Sequence, residues 1–136
     1  MRSQYALTPF HRVFRDFDAA SAPRSRSTFR PHIDFVETAD AYELTLDVPG
    51  IGEGGFDIRF DEGVLEIAGE RPVPEAAEED RVIRRERPHG RFVRRVAFRD
   101  DIAVDAIAAT VRDGVLTVTV PKSERAKPRQ IPVTVH

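Results

Sequence analysis

The order of apolar and polar residues changes its period near position 30. Before that point, five apolar residues recur at spacings of three, three, one and three, which places them on one side of a short helix. These residues are Leu7, Phe10, Val13, Phe14 and Phe17. A helix of this length is marginal in water by itself. Two interpretations therefore stay open, a helix that caps the domain core and a loosely held apolar arm that meets other apolar surfaces.

From Pro31 onward the period is two. In "AYELTLDV", apolar residues alternate with polar ones, and "FDIRF" repeats the pattern. Five further segments are short, alternating and rich in β-branched residues: "VLEIAG", "RVIRR", "RFVRRVAF", "IAATVR" and "VLTVTV". These features are typical of strands that are covered on one face. Seven or eight such strands in about 90 residues predict an all-β fold, an antiparallel sandwich.

The connections between these segments agree with that prediction. "DEG" and "RDG" each place a glycine between two alternating runs, and Gly63 and Gly114 are free to take a positive φ, as a tight hairpin needs. The charged stretch from Gly69 to Gly90 is long for a connection in a compact domain. Within it, Val82 and Ile83 offer a short strand that could reach another chain.

Composition limits the kinds of protein that the chain can be. Its 136 residues allow one domain plus appendages. No apolar run approaches the 18 residues of a membrane span, and no secretory signal is visible. The chain has no cysteine, which excludes disulfides and thiolate chemistry and fits a cytoplasmic location. Basic ends, with net charges of +4 in residues 1–30 and +2 in 123–136, flank a body of −8.

The sequence offers little support for a catalytic or cofactor-binding motif. "GIGEGG" has the spacing of a dinucleotide loop, but a strand-like segment follows it where that loop would open a helix. No histidine has a metal-type partner three or four residues away, and no serine sits in a nucleophile elbow. The arginine pairs at 84–85 and 94–95 could touch phosphate, but the acidic body would repel a polyanion. We therefore expect no enzyme activity, cofactor, metal, nucleic acid or membrane partner.

One segment identifies a family resemblance. "AATVRDGVLTVTVPK" resembles the signature of the small heat shock proteins, the α-crystallin domain family, with Ala109, Gly114, Val115 and Leu116 on signature positions. Upstream, "DVPGI" and "DIRFDEGVLEIAGER" resemble the third to fifth strands of the family, and "GRFVRRVAF" resembles the seventh. The tail triplet Ile131, Pro132 and Val133 resembles the family's I-x-I/V motif. Asp113 stands where the signature usually has asparagine.

The resemblance implies a fold and a division of the chain. The fold is an immunoglobulin-like antiparallel β-sandwich of the bacterial and plant type, spanning residues 31–122. A flexible arm, 1–30, precedes it, and a C-terminal extension, 123–136, follows it. The long loop would carry a sixth strand that pairs with the second strand of a partner, 81–85 against 32–36, and so form a homodimer. The residues assigned to this exchange are Arg81, Val82, Ile83, Arg84, Arg85, Ile33 and Phe35.

The resemblance also implies a place for the tail. In the family, the tail motif adds as a strand to the edge of a sheet. Its two apolar side chains bind in a groove between the fourth and eighth strands. The candidate groove residues are Ile58, Phe60, Ala109 and Val111. Alternation does not say which face of each strand lines the groove, and packing of the triplet on its own domain stays an alternative. Arg94 alternates with Phe92 and Val96, so it is expected on the apolar face. Either this face becomes a solvent-exposed edge at Arg94, or Arg94 forms an ion pair across the dimer seam.

The function that the resemblance implies is an ATP-independent holdase. Such a chaperone binds partly unfolded proteins and suppresses their aggregation under stress, as a dimer or a larger homo-oligomer, and hands clients to ATP-dependent chaperones. The candidate client surfaces are the apolar residues of the arm and the groove when it is vacant. The alternative is a co-chaperone or adaptor like the CS-domain proteins, which bind a specific folded partner but lack the tail motif and the long loop.

Overall fold

The computed structural model describes residues 29–136, and within them seven strands and two 3₁₀ turns. Residues 72–89 form the longest connection between two strands. The bounds are β1 (Ile33–Glu37), β2 (Ala41–Asp47), β3 (Phe56–Asp61), β4 (Val64–Arg71), β5 (Gly90–Ala97), β6 (Ala108–Arg112) and β7 (Val115–Pro121), with turns at Glu53–Gly55 and Val104–Ala106.

The strands form two antiparallel sheets that enclose one core. The four-stranded sheet has the order β1-β2-β7-β6, and the three-stranded sheet has the order β3-β4-β5. Every neighbouring pair is antiparallel, and the described residues contain no α-helix. The predicted all-β antiparallel sandwich is therefore confirmed.

The core follows the predicted alternation. On β2, Leu44 and Leu46 are fully buried, while Glu43 before them and Asp47 after them are exposed. Because alternate side chains of a strand point to opposite faces, the buried set of each sheet meets that of the other. The fully buried large side chains include Leu44, Leu46, Val48, Leu65, Ile67, Val118 and Val120. Burial of one such side chain contributes about 1.5–3 kcal/mol.

Both predicted hairpin glycines adopt a positive φ. Gly63 has φ 78° and Gly114 has φ 77°, and the residues before them, Glu62 and Asp113, are also positive at 47° and 52°. Two consecutive positive φ values define a type I′ turn, whose twist matches that of the flanking strands. The strands pair immediately outside each two-residue turn, so the register of both hairpins is fixed locally.

The segment "GIGEGG" connects two strands, as expected. It ends in the three-residue 3₁₀ turn Glu53–Gly55, and β3 begins at the next residue. A dinucleotide loop needs the first turn of a longer helix at this point, and the described chain continues as a strand.

Phe29 closes one end of the sandwich. It is buried, and its ring meets that of Phe92 edge to face, with centroids 5.4 Å apart. The Arg71 guanidinium lies 4.0 Å from the Phe29 ring centroid and donates a 2.9 Å hydrogen bond to the Pro88 carbonyl. Burial lowers the pKa of Arg71. Phe29 thus packs with the sandwich, although it lies within the range that the sequence assigned to the arm.

Candidate functional site

An apolar groove opens where the two sheets part. β3 is the last strand of the smaller sheet and β6 the last strand of the larger one. A cavity of about 820 Å³ lies between them, with side chains from both strands in its wall. Its apolar lining comes from Phe56, Ile58, Ala109, Val111 and Leu116, and its polar lining from Glu53, Thr110 and Arg112.

A smaller cavity adjoins the first one. It has a volume of about 150 Å³ and shares Ile58 and Ala109 with the larger cavity. The rest of its lining comes from Arg59, Phe60, Leu65, Val104 and Ile107. The two cavities therefore form one groove with two compartments, which we call the β3–β6 groove.

The structure brings all four predicted groove residues together. Ile58, Ala109 and Val111 line the large compartment, and Ile58, Phe60 and Ala109 line the small one. Ala109 lies where the two compartments meet, and its small side chain leaves that space open. Thr110 and Arg112 of β6 and Arg59 of β3 also line the groove, so the lining is not restricted to one face of either strand. The identity of what fills it stays a prediction.

Sequence reasoning missed several other lining residues. Phe56 and Leu116 share the alternation of Ile58 and Val118, so the signal for them was present in the sequence. Val104 and Ile107 lie in or beside a 3₁₀ turn, where no period of two marks an inward side. Only the folded connection between β5 and β6 places them at the groove.

The tail carries three exposed apolar side chains. Ile131 and Val133 are each 87% exposed, and Val135 is 90% exposed. No strand is assigned beyond Pro121 among the described residues. The tail triplet is therefore not buried against its own domain, which was the alternative that the sequence left open.

Both halves of the predicted strand exchange are accessible. Residues 72–89 contain no strand, and Val82 and Ile83 are exposed. β1 is the last strand of its sheet, and the side chains of Phe35 and Val36 are about half exposed, whereas Ile33 packs against the core. The segment "RVIRR" thus forms no strand within the described chain, and its pairing with a partner's β1 stays a prediction.

Arg94 lies on the inner side of β5. It pairs in register with the buried Ile67. Phe92, on the same face, is buried, while Val93 and Arg95 on the other face are exposed. Arg94 thus lies on the same face as Phe92, and its ion pair across the dimer seam stays a prediction. Because β5 is the last strand of its sheet, Arg94 is half-buried rather than enclosed.

A polar cluster holds the root of the tail. Lys122 directly follows β7, is only 8% exposed, and its Nζ donates a 2.7 Å hydrogen bond to Glu37 Oε1. The same Nζ lies 3.5 Å from Asp100 Oδ2 and 5.0 Å from the ring centroid of Tyr42. Tyr42 in turn donates a hydrogen bond to Asp100. No motif in the sequence indicates this cluster, because its members are far apart along the chain.

The cluster shifts the pKa values of its members. The hydrogen bond from Lys122 lowers the pKa of Glu37, and the same bond raises that of Lys122. The hydrogen bond between Tyr42 and Asp100 lowers the pKa of Asp100 and raises that of Tyr42. Each shift favours the form that the group adopts at neutral pH, which is charged for Glu37, Asp100 and Lys122 and neutral for Tyr42.

The predicted client-binding residues of the arm lie outside the described residues. They are Leu7, Phe10, Val13, Phe14 and Phe17. Within residues 29–136, no group of three or more His, Asp or Glu side chains could hold a metal ion. In the same range, no helix has the length and apolar character needed to cross a membrane.

The sequence model of one protein family matches most of the chain. It is described as the Hsp20/alpha crystallin family, and it matches residues 34–134. The chain belongs to this family. Membership confirms the resemblance to small heat shock proteins, supports a chaperone role, and supports the prediction that the protein is not an enzyme.

Named relatives and solved structures agree with this family. The chain is 36% identical over 122 residues to the 16.9 kDa class I heat shock protein 3 of Oryza sativa subsp. japonica, covering 88% of this chain and 82% of that one. It is 37% identical over 123 residues to the 18.2 kDa class I heat shock protein of Medicago sativa, with coverages of 85% and 78%.

Among solved structures, a small heat-shock protein from Xylella fastidiosa aligns with a TM-score of 0.66 and 33% identity. That alignment covers 80% of this chain and all of the other. Heat shock protein 16.0 from Schizosaccharomyces pombe has the same TM-score at 29% identity, with coverages of 79% and 99%.

Proposed function

We propose that this Hsp20 protein is an ATP-independent holdase that binds partly unfolded proteins and slows their aggregation. The observation that carries the proposal is the accessible β3–β6 groove. Its larger compartment has a volume of about 820 Å³ and a mainly apolar lining. Exposed apolar surface of this kind marks a site of interaction with other chains. Preferential binding to the unfolded state holds a client without refolding it, so no cofactor or nucleotide is required.

We further propose that the tail triplet of one subunit occupies the groove of another. Ile131 and Val133 lie two residues apart, so both side chains would point the same way once the tail adds as a strand. Pro132 between them limits the freedom that the segment loses on docking. Burial of each side chain would contribute about 1.5–3 kcal/mol before the cost of ordering. The contact is therefore weak enough to release and leave the groove to a client.

The dimer that we propose forms by strand exchange. The loop segment 81–85 would add to the free edge of β1 in a partner, where the accessible backbone of an edge strand can accept another strand. The exposed Val82 and Ile83 and the half-exposed Phe35 supply the apolar side chains of that contact. Arg94, half-buried at the edge strand β5, would meet a carboxylate across the dimer seam. Larger assemblies would then arise through the tails.

The remaining parts of the proposal concern clients and location. The apolar residues of the arm would bind clients together with the vacant groove, and clients would pass to ATP-dependent chaperones. The domain limits are 1–30, 31–122 and 123–136. We propose a cytoplasmic location without nucleic-acid or membrane partners, in accord with the absence of cysteine and the acidic body.

Light scattering by a heated model client tests the holdase proposal directly. In the absence of nucleotide, an equimolar or greater amount of the protein should slow the rise in scattering well below the rate in buffer. If the client aggregates as fast as in buffer at every ratio, the proposal is wrong.

Deletion of residues 1–28, which keeps the buried Phe29 in place, separates the holdase from the adaptor alternative. A holdase that binds clients through the arm should lose much of its suppression, whereas an adaptor should retain its folded partner. Capture of one stoichiometric folded partner by the truncated chain, with no suppression by the full chain, would favour the adaptor.

A further inference from the structure

The root of the tail is fixed to the sandwich at two successive residues. The backbone N–H of Lys122 donates to the Asp40 carbonyl at 2.9 Å, and that of Ser123 donates to the Asp101 carbonyl at 2.8 Å. The Ser123 hydroxyl adds a 3.0 Å hydrogen bond to Asp101 Oδ2. The tail therefore leaves the sandwich in a defined direction, and the chain is exposed only after these contacts.

The Lys122 side chain connects that root to the edge strand β1. Its hydrogen-bond acceptor Glu37 is the last residue of β1 and lies 85 positions earlier in the chain. Two residues before Glu37, Phe35 stacks on Tyr42 with ring centroids 5.4 Å apart. Tyr42 also lies beneath Lys122 Nζ. One buried lysine thus contacts the last residue of β1 and the aromatic ring on which another β1 residue packs.

We propose that Lys122 is a positioning residue that couples the order of the tail root to the order of the end of β1. Its ammonium group, held between Glu37, Asp100 and the Tyr42 ring, sets the direction in which the tail leaves the domain. Loss of the contact on either side loosens both segments. The lowered pKa of Glu37 and the raised pKa of Lys122 are consistent with an ion pair that is formed at neutral pH.

The coupling has a consequence for assembly. β1 is the edge at which we propose that a partner's strand adds, and the tail is the segment that we propose reaches a neighbouring groove. Because β1 and the tail root both contact Lys122, ordering of one segment should favour ordering of the other. Thermodynamic linkage requires this effect to be reciprocal. The coupling itself concerns only the chain's own segments, so it stands or falls independently of holdase activity.

Hydrogen exchange measured by mass spectrometry tests the coupling. The reporters are the amides of Ser123, bonded to Asp101, and of Thr38, bonded to the Ala41 carbonyl at 2.8 Å. Lys122→Met removes the charge but keeps the length of the side chain, and Glu37→Gln removes the acceptor's charge from the other side. Each variant should accelerate exchange at both reporters by about fivefold to tenfold, the range expected when a charge-assisted contact with one exposed partner is lost.

Arg125→Met is the matched control. Arg125 is an exposed basic residue of the tail, two positions beyond Ser123, so its substitution removes the same charge without removing a contact to β1. The two reporters should then change by less than about twofold, the size of a solvated surface effect. Amides of the core residues Leu44 and Val118 should keep their protection in all variants, which separates positioning from a general loss of stability.

The result that overturns the proposal is specific. If Glu37→Gln accelerates exchange at Thr38 but leaves Ser123 unchanged, the two segments are not coupled. The double substitution Ile131→Ala/Val133→Ala removes tail docking. When Glu37→Gln is added to that background, the faster exchange at Ser123 should persist. If the faster exchange at Ser123 persists in that background and the protein does not suppress aggregation, the holdase proposal is wrong and the coupling proposal is supported. If Lys122→Met does not fold, Glu37→Gln alone decides, since its side chain is more than half exposed.

Discussion

β7 and the tail have almost the same alternation of apolar residues, but those of β7 are buried and those of the tail are exposed. On β7, Leu116, Val118 and Val120 alternate with threonines and are buried. In the tail, the last five residues before His136 read "IPVTV", and their three apolar side chains are 87–90% exposed. Alternation therefore defines which residues share a face, and says nothing about what covers that face.

The difference lies in the neighbours that each segment finds. β7 lies between β2 and β6 in its own sheet, so both of its edges are hydrogen-bonded, and the smaller sheet covers its apolar face. The tail follows the contacts of Lys122 and Ser123, and its apolar face is turned to solvent. Solvent-exposed valine and isoleucine side chains gain free energy when a second surface covers them. The comparison predicts that the same substitution will act on stability in one segment and on assembly in the other.

The largest effect is expected for Val118→Ala on β7. Val118 is 0% exposed, so the change removes two methyl groups from the core and leaves a cavity. We expect the free energy of unfolding to fall by about 2–3 kcal/mol. Thermal unfolding at fixed protein concentration measures it, because any assembly makes Tm depend on concentration. A decrease below about 0.5 kcal/mol, the size of a surface substitution, would mean that β7 is covered no better than the tail.

The tail counterpart is the double substitution Ile131→Ala/Val133→Ala. Since both side chains are exposed in the isolated chain, we expect the free energy of unfolding of the domain to change by less than about 0.5 kcal/mol. If assemblies exceed the dimer, their size distribution should shift downward, as measured by light scattering after size-exclusion chromatography. Assemblies of unchanged size would contradict tail docking.

A third substitution acts on the groove that the tail is proposed to enter. Ala109 lies where the two compartments meet, so Ala109→Phe should fill that space and weaken binding of a labelled peptide of residues 128–136 by at least about tenfold. That factor corresponds to the loss of one buried apolar side chain. Fluorescence anisotropy measures the binding.

Ala108→Phe is the control for this change. Ala108 is the preceding residue of β6, is exposed, and does not line either compartment. It should leave peptide affinity unchanged within about twofold, because a side chain that lines neither compartment does not fill the groove. Equal losses in the two variants would show that the peptide binds elsewhere.

The sequence predicted those parts of the molecule that depend on local chemistry. The alternation on β2 placed Leu44 and Leu46 in the core, and the positions of Gly63 and Gly114 located two hairpins. The family resemblance named four groove residues that the fold brings together. Contacts between distant segments left no such signal. Phe29 reaches Phe92 and Lys122 reaches Glu37 across 63 and 85 positions, and only the completed sandwich brings these residues into contact.

The smallest effect is expected at the boundary between the buried strand and the exposed tail. The pKa values of Glu37 and Asp100 lie below their ordinary values of 4.5 and 3.8. Their contribution to stability is therefore fully present above those values and is lost as the pH falls through the lowered ones. Lys122 has a pKa raised above 10.5, so its contribution is present below that pH and is lost as the pH rises through the raised value.

Glu37→Gln should remove part of this dependence. We expect its Tm to lie slightly below that of the unsubstituted chain at neutral pH, by less than the change for Val118→Ala, and the difference to shrink as the pH falls below 4.5, the ordinary pKa of Glu37. Glu79→Gln is the control, because Glu79 is exposed and lies within residues 72–89, outside every strand. Its Tm should follow that of the unsubstituted chain at every pH. A Tm difference for Glu37→Gln that persists unchanged into acid would show that Lys122 does not join β1 to the tail through the charge of Glu37.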